Sequence, residues 1–297
     1  VTNGLRQHYG ERYVALADKV EQDLGLAQAN LEARHLGTID TFRFEEKSLL
    51  LYTSSLICAK QYGDALAVIA DRIRSFWVDR DVARQAQWEA ARLIAELGSE
   101  IDRLRPELSK SGDDPEKWVK TYSTDKGWFR ADELHRRLET WIAKMDDDPE
   151  SEQALNVVRQ EHEELLKKMA SRFAKVLSES GWTVPNVLHQ TMIYPEIVKP
   201  MGGRVAYFLV DAMRYDMGIE LSQQLEGMQD LSVRPAIAAL PTITTVGMAA
   251  LLPGASSSFS VVESNGKLSA LIENTPMTNL NDRMKFLKVK VPDFIDL

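Results

Sequence analysis

The sequence predicts a helical domain followed by the start of an α/β sandwich, and three observations predict it. Up to about residue 185, apolar residues recur at helical spacings of three, four and seven. Val205-Ala206-Tyr207-Phe208-Leu209-Val210 then forms a continuous apolar run rich in β-branched and aromatic residues, the pattern of a buried strand in a parallel sheet. Composition breaks between the two: all six tryptophans and all five histidines precede Pro200, and from Gly202 onward there is no His, Trp or Cys. The division that follows is residues 1–185, a helical domain, and residues 186–297, the N-terminal part of an α/β domain.

In the helical part, Phe42 to Trp77 reads as helix interrupted near Gly63, and Val82 to Leu104 as a further helix. Asp114-Pro115-Glu116 is a helix start: Asp caps, Pro suits the first turn, and Glu complements the positive end of the helix dipole. Asp148-Pro149-Glu150 repeats the signal. Leu155, Val158, Leu165, Met169, Phe173 and Val176 then form one buried stripe, which Gly181 ends. His162 falls on that stripe and reads as a hydrogen-bonded core residue. These elements make a helical bundle or stack.

In the second part, the run 205–210 ends in Asp211. A helix follows with Met213, Met217, Leu221 and Leu225 on one face, stopping near Gly227. Ser232 to Ala239 is the next strand, and Met248 to Leu252 a short apolar helix closed by Pro253-Gly254. Phe259 to Glu263 and Lys267 to Leu271, joined by Asn265-Gly266, predict a hairpin. Few strands are laid down before Leu297, so the sheet reads as unfinished.

Composition excludes several classes. With 44% hydrophobic and 27% charged residues the chain has material for a core and is not a disordered polyelectrolyte. A net charge of -8 argues against a surface that is nucleic-acid or membrane glue throughout. One cysteine, Cys58, excludes an internal disulfide framework and a Cys-based zinc finger, and a reducing, cytoplasmic setting is the expectation. The start Val-Thr-Asn-Gly-Leu-Arg reads as neither a signal peptide nor a natural initiator, the mark of an excised chain. Arg72, Arg74, Arg80, Arg84 and Arg92 interleave with Phe76, Trp77 and Trp88, as a backbone-tracking nucleic-acid surface would. Asp71, Asp79, Asp81, Glu89 and Glu96 share that stretch, so a solvated mixed-charge face describes it better.

Two positions carry chemistry. A carboxylate at the end of a buried strand, Asp211, is desolvated unless paired, and holds a metal, an arginine or backbone amides. Capping of the next helix accounts for it equally well. Thr244, just before a helix, reads as an N-cap, or as a hydroxyl beside free amides and a positive dipole end, where phosphate binds. A metal that lowers the hydroxyl pKa would make it a phosphoryl acceptor.

Taken together, Val210-Asp211-Ala212-Met213-Arg214-Tyr215-Asp216-Met217-Gly218 and Leu240-Pro241-Thr242-Ile243-Thr244-Thr245-Val246-Gly247, continuing to Pro253-Gly254, closely resemble the PglZ domain. That family belongs to the alkaline phosphatase superfamily and occurs in bacteriophage exclusion (BREX) defence systems. The resemblance runs from about residue 186 to 297 through Asn281-Asp282-Arg283; a looser one takes in Gly127-Trp128-Phe129-Arg130-Ala131-Asp132 and Arg136-Arg137-Leu138. Pro241-Thr242-Ile243-Thr244 is similar to the Pro-Thr-x-Thr of the superfamily's phosphodiesterases, in which the second Thr is nucleophile and metal ligand.

The resemblance therefore implies the N-terminal part of an alkaline phosphatase-like α/β/α sandwich in a metal-dependent phosphodiesterase or phosphatase-like subunit. Thr244 is implied as nucleophile, and Asp211 and Thr244 as metal ligands; no residue is assigned to an organic cofactor. The metal is zinc, or manganese or magnesium, in the complete protein. Superfamily members finish a two-metal site with Asp and His from later strands, and no His follows His189. These 297 residues alone are thus expected to hold no tightly bound metal. Asp216 is not expected to substitute, and Arg214 and Asp216 read as exposed or salt-bridged on a first helical turn. The implied partners are other BREX components, including the methyltransferase, with DNA reached through the complex and no membrane. The alternative is a non-enzymatic scaffold or ligand-sensing subunit that assembles the defence complex.

Overall fold

The computed structural model describes residues 2–29, 31–36, 40–145, 148–264, 266–293 and 295. The chain forms two compact units, one of Val1–Gly112 with Trp128–Ala174 and one of Asp113–Gly127 with Lys175–Leu297. The order of elements is the expected one, a helical region followed by a small, open β region.

The first unit contains α1 (Thr2–Asp23), kinked at Tyr9 and Gly10, α2 (Phe44–Cys58), α3 (Tyr62–Arg72) and α4 (Val82–Ser109). After α5 (Pro115–Ser123), which belongs to the second unit, come α6 (Phe129–Ile142) and most of α7 (Glu152–Glu179). The interruption expected near Gly63 is present slightly earlier, where Lys60 takes a left-handed φ of 61° and separates α2 from α3. α4 is the axis of this unit. Its Asp81 cap accepts the Arg84 amide at 3.1 Å, and its face of Trp88, Ile94, Leu97, Ile101 and Leu104 is buried as it packs on α2, α3 and α6.

Beneath that face lies a buried polar knot. The Glu46 carboxylate pairs with the Arg72 guanidinium, and accepts Ser75 Oγ at 2.7 Å and Trp88 Nε1 at 2.9 Å. A charge buried this deeply is tolerated because its lone pairs are filled. In α7, Leu155, Val158, Leu165 and Val176 are buried as the stripe predicts, although the helix begins one turn beyond Asp148. His162 is also a core residue, its ring stacked on His135 with centroids 4.1 Å apart.

In the second unit Asp114 caps α5, accepting the amides of Glu116 at 2.9 Å and Lys117 at 3.3 Å. Among the described residues two small sheets follow. β1 (Leu188–His189) pairs in parallel with β2 (Ala236–Ile237), the only paired part of the predicted strand 232–239. Between them lies α8 (Tyr215–Gln224), and after them α9 (Thr244–Ala250) and α10 (Ala255–Ser258). The expected hairpin forms: β3 (Phe259–Ser264) and β4 (Lys267–Ile272) are antiparallel, and β5 (Thr275–Pro276) extends the sheet. Of its turn, Asn265 lies outside the described residues, while Gly266 has a φ of 74°. α11 (Leu280–Lys290) covers this sheet, and Leu252, Ile272, Met277, Phe286 and Leu287 make the core. Among the described residues no helix is long and apolar enough to cross a membrane.

One expectation is overturned. Val205–Val210 is not a buried central strand. It carries no strand pairing among the described residues, and Val205, Phe208 and Val210 are 41%, 79% and 54% exposed. The physical reason is the ladder. An apolar run is held as a strand only by backbone partners on its edges, and the described strands pair elsewhere. The Tyr207 hydroxyl donates to the Leu251 carbonyl at 3.2 Å and fastens the run to the end of α9.

Candidate functional site

Asp211 sits where the run 205–210 turns toward α8. The turn is sharp, because Ala212 adopts a left-handed φ of 54°, a conformation that costs an alanine about 1–2 kcal/mol. The Asp211 side chain braces it by accepting the Ala212 amide on Oδ1 at 3.0 Å. Its other oxygen, Oδ2, is left for a second partner. The helix-capping alternative for Asp211 does not hold: α8 begins at Tyr215, its cap position is Arg214, and no side chain caps it.

Thr244 is the first residue of α9. The cap position belongs to Ile243, with no side-chain cap, so the N-cap alternative for Thr244 also fails. Its hydroxyl instead donates to Asp211 Oδ2 at 3.0 Å, across 33 residues of sequence. The two positions singled out from sequence are in direct contact. Both are exposed.

The surroundings hold these two residues in place. Gln190, next to β1, donates from Nε2 to the Gly247 carbonyl in α9 and accepts the Ala239 amide on Oε1, each at 3.0 Å. It clamps the segment after β2 to the helix that presents Thr244. The peptide between Leu240 and Pro241 on that segment is cis. On the other side, Tyr215 donates to the Ser123 carbonyl at 2.8 Å and its ring packs on Tyr122, fixing the start of α8 to the end of α5. Asp216 is fully buried rather than exposed, and takes the Arg214 guanidinium on both oxygens at 3.1 and 3.2 Å. That ion pair agrees with the salt-bridged reading and occupies the carboxylate. Sequence offered no signal for Gln190 or for the strained Ala212.

His189 lies at the end of β1, where its Nδ1 meets Thr191 Oγ1 at 2.8 Å, and burial pulls its pKa below the ordinary histidine value. It is not a side-chain partner of Asp211 or Thr244. Among the described residues, no group of three or more His, Cys, Asp or Glu converges as a metal site would require. The donor set at the contact is one carboxylate oxygen and one hydroxyl oxygen, both hard. Their 3.0 Å separation matches adjacent ligands on a small octahedral cation, which lie about 3 Å apart when each bond is about 2.1 Å. They fit as two ligands of a divalent ion and fall short of a full set.

Residues 188–293 match the family model described as the BREX system PglZ alkaline phosphatase-like domain. This stretch of the chain is similar to the PglZ domain. A curated relative, the alkaline phosphatase-like protein BrxZ of Escherichia coli O9:H4 (strain HS), is 36% identical over 80 residues. That alignment covers 25% of this chain and 9% of the relative, so the chain spans a small part of it. No solved structure matches. The PglZ match contains both Asp211 and Thr244, together with the Gln190 clamp.

Proposed function

We propose that this chain is the part of a BREX anti-phage defence subunit that carries the nucleophile of a metal-dependent phosphodiesterase or phosphatase-like hydrolase. On this reading residues 1–185 are its helical domain and residues 186–297 the N-terminal part of its alkaline phosphatase-like domain. The observation that carries the proposal is the 3.0 Å hydrogen bond from Thr244 to Asp211 inside the PglZ segment. Asp211 and Thr244 serve as two ligands of a divalent metal (zinc, manganese or magnesium) whose remaining ligands these residues do not supply. When bound, the metal lowers the hydroxyl pKa and polarises the phosphate.

Asp211 Oδ2 orients the hydroxyl hydrogen and leaves an Oγ1 lone pair free for a phosphorus atom. Attack forms the Oγ1–P bond as the bond from phosphorus to the leaving oxygen breaks, and the hydroxyl proton is handed by way of Asp211 Oδ2 to the leaving oxygen. Water then attacks the phosphothreonine, its oxygen bonding to phosphorus as the Oγ1–P bond breaks, and Thr244 is restored. The exposure of both residues suits a bulky phosphodiester. Partners on this reading are the other BREX components, including the methyltransferase, with DNA reached through the assembled complex.

The test uses the full-length protein with zinc, manganese or magnesium and a chromogenic phosphodiester. Thr244→Ala should lower turnover by at least about a hundredfold, an outcome in keeping with loss of a covalent nucleophile. Equal turnover would remove Thr244 from the chemistry. If Thr244→Ala protein also still co-purifies with its defence partners and still protects cells, the subunit is a scaffold or ligand sensor.

A further inference from the structure

The helical unit contains a cavity of about 250 Å³ whose wall includes Arg43, Arg80 and Arg84 beside Trp77. We propose that this cavity binds a phosphate group. The arginine-rich stretch of the sequence sorts itself in the structure. Arg72 is spent on the buried Glu46, and Arg92 is clamped between Glu89 and Glu96. Neither is available to a ligand. Arg80 and Arg84 are different: among the described residues neither has an ion-pair partner, and Arg84 Nη1 is buried with no hydrogen-bond acceptor. A guanidinium N–H removed from water without an acceptor is costly, and an anion in the adjoining cavity lowers that cost by stabilising the charge.

Two of the cavity's three acids already have partners. Glu46 is neutralised by Arg72, and Asp81 is engaged as the cap of α4, where its Oδ1 accepts the Arg84 amide. Glu11 is the remaining carboxylate in the wall. Arg43 meets both Asp18 carboxylate oxygens, through Nε and Nη2 at 3.4 Å each, and its guanidinium lies over the Trp77 ring, 5.0 Å from the centroid. Arg80 is held over Phe76 at 3.9 Å. Stacking on rings that are themselves packed orders two long side chains before any ligand arrives, which removes much of the entropy cost of forming a site. The two uncommitted guanidinium forks of Arg80 and Arg84, with Arg43 beside them, suit a multi-oxygen anion better than a single carboxylate. The phosphate is presented either by a free nucleotide or by a nucleic-acid backbone.

Binding separates the two sources. The full chain is titrated with inorganic phosphate, with ATP and with a single-stranded oligonucleotide, by calorimetry for the first two and by fluorescence anisotropy for the third. Saturable binding of at least one probe is expected, weakened about tenfold or more by Arg80→Gln and by Arg84→Gln and unchanged by Arg92→Gln. Arg80 is exposed, so Arg80→Gln keeps the fold and the test does not hinge on Arg84. Loss of phosphate or ATP binding in these variants assigns a free ligand; loss of oligonucleotide binding alone assigns a strand backbone. No saturable binding of any probe, or equal weakening by Arg92→Gln, overturns the proposal.

Discussion

Glu45 shows how far a single residue can depart from what its type suggests. It is buried at the start of α2, with Oε1 accepting the Phe42 amide at 3.2 Å and Oε2 without a partner. Burial pushes its pKa up to about 7, against the lowering effect of the Phe42 amide and of Arg72. A folded pKa above the unfolded value means the native state binds more protons between the two. Its contribution to stability is therefore full below about pH 4.5 and is lost as pH rises through about 7. Glu45→Gln should remove that dependence, gaining on the order of 1–3 kcal/mol relative to the parent at pH 8 compared with pH 4.5. Urea midpoints at the two pH values measure it, and an identical difference at both would show that Glu45 does not titrate in this window. Nothing in the sequence around Glu45 foretold this, because Glu45 and Glu46 look like ordinary acids of a first helical turn.

Among the elements, legibility followed local signals. The cap at Asp114, the stripe of α7 and the hairpin β3–β4 were readable because each depends on neighbours in sequence. The run 205–210 was misread because its burial depends on partners that local pattern does not specify. Close packing between helices lay in between. Gly98, in the middle of α4, faces the ring of Tyr62 from α3, and a Cβ there would fall inside the ring's van der Waals envelope. Tyr62 cannot retreat: it is buried, and its hydroxyl donates to Glu161 at 3.1 Å. Replacing a mid-helix glycine by alanine ordinarily gains about 1 kcal/mol. Overpacking costs about 1–3 kcal/mol or more, so Gly98→Ala should be destabilising. Thermal unfolding reads the sign, and a rise in Tm would show that α3 and α4 have room to separate.

Across the whole molecule the two units bury their apolar residues unequally. The first has a deep core around α4, whereas the second leaves Phe208, Val210, Met213, Leu240 and Ile243 exposed. Unpaired backbone beside exposed apolar side chains is a template for association. Phe208→Ser should thus leave Tm within about 1 °C, since the residue is already 79% exposed, and should slow aggregation of this chain in light scattering. Unchanged aggregation would place the sticky surface elsewhere. The candidate site was legible as two positions because motif and chemistry agreed on them, and its supports were not, since Gln190 and Tyr215 act through contacts 57 and 92 residues away.

The contact between Thr244 and Asp211 closes a loop of 33 residues. For a flexible segment of that length, the length-dependent part of loop closure alone costs about 3 kcal/mol. One solvent-facing hydrogen bond returns about 0.5–1.5 kcal/mol. The bond cannot be what keeps the loop shut; closure is inherited from the Gln190 clamp, the β1–β2 pairing and the anchored start of α8. Deleting the hydroxyl should then leave Asp211 and α9 standing where they are, and a defect in Thr244→Ala would report lost chemistry rather than a collapsed site.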